Sequence, residues 1–586
     1  MTTFFRKVLS KISIPTFALR EGTLAPSRIA RAGGESVLLL LLLAACTPSV
    51  PTTFEEATTP PPVTPNNFDA TLPPNIAPLN FRILQGDASE AVTRLHSKRG
   101  GEIIVAGWDV CFDEDEWHHL LDQTRGDSLY CDIYLKAYGT WEHLPTQRFY
   151  VAEDEIDPYI TYRLIRPSYV TYEELTINER CLENFDERVV YENMRFADSQ
   201  QGQCINCHMP RAWNSDAQSQ FHVRQNLGGT VLINGNSATK VNLKTDSTLS
   251  AGVYPAWHPT LPLIAYSVNE TGQVFHTLDP QKIEVIDYAS DLILYDVQTN
   301  TVQSIDRTAS DFESFPAWSP DGGTLYYIAA HYTPRADNLD ADLDANYDQL
   351  HYNIYARDFD LTTRRFGARR LVFDAESLGK SASVPRVSPD GQYLLFTLAD
   401  YGQFHIWHKS ADLQILSLNP TPSPGGEKSN PSTDSPTPGK ETSAGSQSPL
   451  PHVTHTGSEA LNSPSSESYH AWSSTGRWIL FSSRRDDGNY TRLYISYFDR
   501  DGRAHHPFRL PQRTADADDL MLRSYNAAEF LVQPVQATPH TLSRAIKADA
   551  RPASYAGSAL LHPEADTTRA RQLTPPAERR SASVGY

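Results

Sequence analysis

Two thiols and an imidazole within five residues are the densest chemistry in the chain: Cys204-Ile205-Asn206-Cys207-His208. The string reads C-x-x-C-H, in which two cysteines three apart can each bond one vinyl group of a porphyrin and the histidine that follows can reach the iron. Read this way, Cys204 and Cys207 hold a covalent c-type haem and His208 is its proximal metal ligand. Met209 adjoins His208 and cannot swing to the opposite face of the same iron. His222, in Phe221-His-Val-Arg224, stands foremost as the second metal ligand, with Met194, His258 and His276 as the other candidates. Ligation by two histidines gives a low-spin electron carrier, whereas an open site permits small-ligand or peroxide chemistry. Arg211 or Arg224 would then pair with the propionates. The competing readings of the pair are a dithiol redox motif, half a zinc site or a plain disulfide.

Three further cysteines lie outside the motif and the leader: Cys111, Cys131 and Cys181. Cys111 and Cys131 fall in two candidate strands of one domain and could form a disulfide, leaving Cys181 free. The acidic run Asp113–Glu116 reads as a solvated loop. No Gly-x-Ser-x-Gly occurs and no hydrolase-length αβ domain follows, which argues against a peptidase. Whether the chain is an enzyme is left open, with the balance toward none. A net charge of −19, with both signs spread evenly, offers no basic patch for phosphates and so no nucleic-acid partner.

The elements that must position this chemistry announce themselves by repetition. Tyr254-Pro-Ala-Trp257-His-Pro, Phe315-Pro-Ala-Trp318-Ser-Pro-Asp-Gly322, Val384-Pro-Arg-Val-Ser-Pro-Asp-Gly391 and Tyr469-His-Ala-Trp472-Ser-Ser-Thr-Gly476 each precede an apolar strand. A second strand follows each, as in Ser290–Asp296, Tyr352–Asp358, His405–Asp412 and Arg492–Asp499. A tight turn between an aromatic-led strand and an apolar one, recurring along the chain, is the pattern of propeller blades. These phrases resemble the WD-repeat-like blades of TolB-type β-propellers, and the expected number is five to seven blades, six favoured, over 220–535.

The predicted class is mainly β. Residues 67–185 form a β-sandwich-like antiparallel domain, residues 186–219 a short helical haem-attachment segment, with 172–200 looking helical, and 220–535 the propeller. A Pro/Ser/Thr-rich insert at 418–467 and a tail at 536–586 read as disordered. Residues 1–46 read as a leader and 47–66 as a Pro/Thr-rich tether. Leader and tails aside, roughly 420 residues remain, enough for two or three domains. The apolar run Val37–Leu43 is too short to span a bilayer. It ends in Leu43-Ala-Ala-Cys46, which resembles a bacterial lipoprotein cleavage box and implies lipidation of Cys46; Thr47 after it points to the outer membrane.

As a whole the chain resembles lipoproteins of Bacteroidetes-type bacteria in which a sandwich-like domain, a C-x-x-C-H segment and a TolB-like propeller follow one another. The resemblance covers about 70–530, through Pro73–Phe81, Cys204–His208, Gly252–Pro259 and the blade phrases. It implies haem c in an envelope protein, lipid-anchored in the outer membrane, that carries electrons or senses redox state with a redox partner. Its propeller then docks envelope protein partners. The alternative is a cell-envelope interaction scaffold in which the C-x-x-C-H is structural or a disulfide.

Overall fold

The computed structural model describes residues 48–561 apart from 168, 199, 277, 279–280, 309 and 419–456. The leader with Cys46, most of the insert and the last part of the tail lie outside the described residues. Among the described residues no helix is long and apolar enough to cross a membrane.

The architecture is mainly β and propeller-like. Six sheets have first strands at Gln203–Pro210, Val253–Trp257, Asp311–Trp318, Ser381–Val387, Glu467–Trp472 and Ser524–Leu531, and these first strands touch one another in a closed ring. Each strand is paired antiparallel with the next strand of its own sheet. The last sheet is composite: Ser524–Leu531 joins Tyr159–Ile165, Thr176–Cys181 and Glu187–Glu192, so the two sides of the chain meet in it.

The repeated phrases have a readable physical role. Every inner strand carries one residue at positive φ beside a register shift: Cys207 (51°), Tyr254 (48°), Phe315 (48°), Val384 (50°), Tyr469 (44°) and Ala527 (48°). Such a bulge kinks a strand at a cost of about 1–3 kcal/mol for a side chain in this region, sustained only where packing over-determines it. The tryptophans staple neighbouring sheets: Trp257 Nε1 donates to Met209 O (3.2 Å), Trp318 Nε1 to Ala256 O (3.2 Å) and Trp472 Nε1 to Arg386 O (3.1 Å). In the turns, Asp321 accepts from Ser319 Oγ (2.5 Å) and Gly323 N (2.9 Å), and Asp390 accepts from Ser388 Oγ (2.5 Å) and Gln392 N (3.1 Å). Gly322 sits at φ 72° against the His258 ring, where a Cβ would lie 2.4 Å from Cε1.

The N-terminal region differs from the expectation in several places. Its main sheet has seven strands, and a smaller one joins Val63–Thr64, Phe81–Ile83 and Asp109–Val110. Two pairings are parallel, Glu55–Glu56 with the strand Thr140–His143 and Gln147–Val151 with Thr71–Leu72. The 47–66 segment therefore contributes strands to both sheets, because backbone pairing at a sheet edge needs no large apolar side chains. The run Asp113–Glu116 opens helix Glu114–Gln123: Asp113 Oδ1 caps Asp115 N (3.0 Å) and Glu116 N (3.2 Å), and acidic groups suit a helix N-terminus. Tyr159–Ile165, within the stretch assigned above to the sandwich, belongs instead to the composite ring sheet. The stretch 172–200 forms the strands Thr176–Cys181 and Glu187–Glu192 after a short 3-10 turn, not a helix, since its tertiary pairing overrides local propensity. Cys111 and Cys131 are free thiols, the first exposed and the second buried in the seven-stranded sheet, so the disulfide is not formed; Cys181 is also free.

The N-terminal sheets share one core with the ring sheets, in which Phe81, Trp117 and Phe149 meet Trp478, Phe508 and Phe530. Asp157 locks the junction by accepting from Ser474 N (2.7 Å) and Ser474 Oγ (2.5 Å), and Tyr497 OH donates to Asp154 (2.8 Å). The tail, read above as disordered from 536, holds helix Pro539–Lys547 and strands at Arg551–Pro552 and Ser554–Ser558. Thr538 caps that helix through Thr541 N (3.2 Å), and its Leu542 and Ile546 are buried.

Candidate functional site

The six bulged residues converge. Cys207, Tyr254, Phe315, Val384, Tyr469 and Ala527 line one cavity of about 60 Å³ on the axis of the ring. Tyr254 stacks on Phe315 with ring centroids 4.0 Å apart. Burial, and after it the neighbouring Tyr469 and Cys207, holds the Tyr254 phenol neutral by pushing its pKa well above the ordinary value. Beside the aromatics, Arg386 Nη2 reaches Glu529 Oε1 at 2.8 Å, an ion pair linking the fourth inner strand to the sixth. Burial raises the Glu529 carboxyl, and Arg386 opposes that rise. Arg163 bridges Asn206 and Asn526, the residues just before two of the bulges, donating to both side-chain oxygens.

A long hairpin crosses from the second ring strand's sheet. Its arms, Leu263–Phe275 and Ile283–Asp296, run past the start of the inner strand and reach two sheets further round. There Glu284 accepts from Tyr401 OH (2.8 Å) and faces His408 Nε2 at 3.4 Å. Asp287 accepts from Tyr352 OH (2.7 Å), Asn269 (3.3 Å) and Gln403 (3.4 Å); burial raises it to about 6 despite those bonds.

The C-x-x-C-H residues lie within the ring itself. All of them are on Gln203–Pro210, an extended strand where a helical segment over 186–219 was expected. Cys204 is opposite Arg224 and Asn206 opposite His222, so His222 is a strand neighbour of the motif. His222 is buried, its Nδ1 lies 3.2 Å from Thr230 Oγ1, and burial followed by Arg224 lowers it to about 3. Cys207 has its carbonyl bonded by Gln220 Nε2 at 2.7 Å. Burial raises the Cys204 thiol. His208 is 6% exposed and neither ring nitrogen makes a well-aligned hydrogen bond; burial followed by the charge of Arg163 lowers it to about 3, opposed by a weak contact with the Ala527 backbone. Met209 supplies the carbonyl that takes the Trp257 staple. Cys207-His208-Met209 thus stands where Tyr254-Pro255-Ala256 stands one sheet later.

These positions do not fit a porphyrin bonded to both sulfurs with His208 on its iron. The axial cavity is several-fold smaller than the ~300 Å³ at which small-molecule sites begin. His208 is buried and lines that same small cavity, and the motif's backbone is committed to sheet pairing and to the staple. Among the described residues no group of three or more His, Cys, Asp or Glu is placed to hold a metal ion. Met194 is at a turn before the strand, and His258 packs edge-on against Trp318 (4.7 Å) with its Nδ1 accepting from Leu261 N (3.0 Å). Arg211 pairs with Asp216 at 3.0 Å.

The lining residues Tyr254, Phe315, Val384 and Tyr469 were in the repeated phrases but not singled out as a site. The available signal was their constant place, one before the Pro or His of each phrase. Nothing local marked Arg386, Glu529 or Asp287.

No family model matches the chain, and no curated protein matches it. Among solved structures, an oligogalacturonate lyase in complex with manganese aligns at 11% identity over 59% of this chain and 72% of that one, with a TM-score of 0.29. A prolyl endopeptidase aligns at 11% identity over 61% of this chain and 42% of that one, with a TM-score of 0.30. The chain spans less than half of that endopeptidase. At these scores neither carries an argument about this chain.

Proposed function

We propose that this chain is a non-enzymatic interaction protein of the cell envelope, held to a membrane by lipid on Cys46. In this reading its six sheets are the blades of one propeller, its axial face recognises a partner protein, and Cys204, Cys207 and His208 serve a blade. The observation that carries the reading is the equivalence of Cys207 with the five other bulged residues around one cavity. That cavity has room for one partner side chain, and it presents tyrosine and arginine, residue types enriched where interfaces are anchored. The aromatic hydroxyls are held neutral, and the charged groups there are paired with each other.

The test is to export the full chain in a host with cytochrome c maturation and record a visible spectrum with a pyridine haemochrome assay. Folded, colourless protein is the expected result. A covalent c-type band lost in Cys207→Ala would overturn the structural assignment of the motif and restore electron transfer or redox sensing. In parallel, cross-linking in native membranes should trap one partner with the wild-type chain and lose it with Tyr469→Ala at unchanged expression. Equal trapping by both would move the binding face off the axis.

A further inference from the structure

The side chains round the axial recess offer hydrogen-bond donors that nothing in the ring uses. Tyr254 and Tyr469 both line it, and neither phenol oxygen has a hydrogen-bond partner among the described residues. Burial keeps both phenols protonated, so each presents an O–H. Arg386 gives its Nη2 to Glu529 and leaves Nε without a partner. Glu529 is the acidic residue of the lining, and that bond already neutralises it. His208 is a neutral ring and brings no charge.

Two more guanidiniums stand behind the wall without a counter-ion. Arg163 is part-buried and donates to the side-chain oxygens of Asn206 and Asn526, which carry no charge, and its buried Nε has no partner. Both asparagines directly precede residues that line the recess, Cys207 and Ala527. Arg224, exposed on the strand opposite Cys204, also forms no ion pair among the described residues. Their fields reach the recess: Arg163 favours negative charge at Tyr469, and Arg224 favours it at Tyr254. Asp287 opposes Arg224 at Tyr254, but Tyr352, Asn269 and Gln403 already donate to its oxygens. A part-buried cation with no carboxylate beside it is unfavourable, and an anion brought from outside removes the deficit.

We propose that the recess takes the carboxylate of an aspartate or glutamate side chain of the partner protein, with Tyr254 and Tyr469 donating to it and Arg163 supplying the facing charge. This rests on the axial docking proposed above and adds the chemistry of its anchor. Hydrogen bonds to an ionised acceptor are about twice as strong as neutral ones, so a carboxylate gains most from these donors. The chain as a whole carries a net charge of −19, and exposed charges are screened beyond about 8 Å at physiological ionic strength. The guanidiniums therefore select one acidic side chain at close range and do not steer an acidic surface from afar.

Calorimetric titration of the full chain with three end-blocked peptides, Gly-Gly-Xaa-Gly-Gly with Xaa as Glu, Gln or Leu, tests this. The Glu peptide should bind tighter than either of the others by about tenfold. Tyr469→Phe, which removes a hydroxyl and keeps the ring, should weaken the Glu peptide several-fold, and so should Arg224→Gln, a change at an exposed position that leaves the fold intact. Arg163→Gln should abolish the preference for Glu over Gln. Equal affinity for the Glu and Gln peptides, or no binding by any of the three, overturns the carboxylate. Preference for the Leu peptide that is lost in Tyr469→Ala also overturns it, while leaving the axial face as the docking site. A Glu preference that survives Tyr254→Phe, Tyr469→Phe and Arg224→Gln alike puts the acidic contact off the axis and overturns both readings.

Discussion

The orphaned imidazole of His208 gives the sharpest test of how the motif is used. A buried polar group without a partner costs about 1–3 kcal/mol, and neither ring nitrogen has a well-formed bond, the Ala527 backbone offering one of them only a weak contact. The ring's pKa is lowered from 6.5 to about 3. A base whose folded-state pKa lies below its unfolded value binds fewer protons when native, so stability is full above pH 6.5 and is lost as pH falls toward 3. Each pH unit in that window is worth about 1.4 kcal/mol, so moving from pH 8 to pH 5 costs the native chain about 2 kcal/mol at this one ring. His208→Leu removes the titration and the orphaned nitrogens together. At pH 8 the variant should range from equal in stability to about 2 kcal/mol more stable, the cavity left by the ring offsetting part of the gain. At pH 5 the difference should move in its favour by about a further 2 kcal/mol. Guanidinium denaturation of both proteins at the two pH values, with equal m-values, reads this directly. A variant destabilised by more than about 2 kcal/mol at pH 8, with no change in the difference at pH 5, would refute the reasoning and mean that the ring has a partner, as an iron ligand would.

Two other perturbations follow from the same geometry. Arg386→Met leaves the partly buried Glu529 carboxylate without its cation and should cost about 1–3 kcal/mol at pH 8. Because burial already raises that carboxyl, the loss should shrink as pH falls and the group protonates, and Arg386→Met with Glu529→Gln should recover most of it; denaturant melts of the three chains show this. Asp157→Ala removes the acceptor of both Ser474 bonds and should cost about 2–4 kcal/mol, with limited proteolysis showing cleavage of the N-terminal sheets before the ring sheets.

Sequence made the propeller-like fold legible where the phrases kept Pro, Trp and the Pro-Asp-Gly turn together, as at Phe315–Gly322. It failed where the same geometric position carries other residues. Cys207-His208-Met209 and Ala527-Ala528-Glu529 occupy it with neither the Pro nor the Trp, so neither string reveals its place in the ring. A five-residue string names residue types but not the backbone under them, and here the backbone is a bulged strand. The composite sheet was equally hidden, because Arg163 and Asn526 are 363 residues apart and no local pattern links them. The helix at Pro539–Lys547 was masked by the Ala/Arg/Pro composition around it, though Thr538-Pro539 is a proper helix start. The Asp113 cap was likewise lost inside a run of acids.

The composite sheet also sets a schedule for the chain's own making. Its closing strand, Ser524–Leu531, must arrive beside Tyr159–Ile165, so the ring cannot shut until nearly all of the chain has emerged. Joining ends so far apart is entropically unfavourable and puts long-range contacts late, which slows folding. Until then Tyr159–Ile165 waits with its inner edge bare, and the N-terminal core lacks Trp478, Phe508 and Phe530 to cover it. A protein clasped this way is most exposed to misassembly during synthesis, and a holding chaperone acting in that interval would govern its yield more than the stability of the finished ring would.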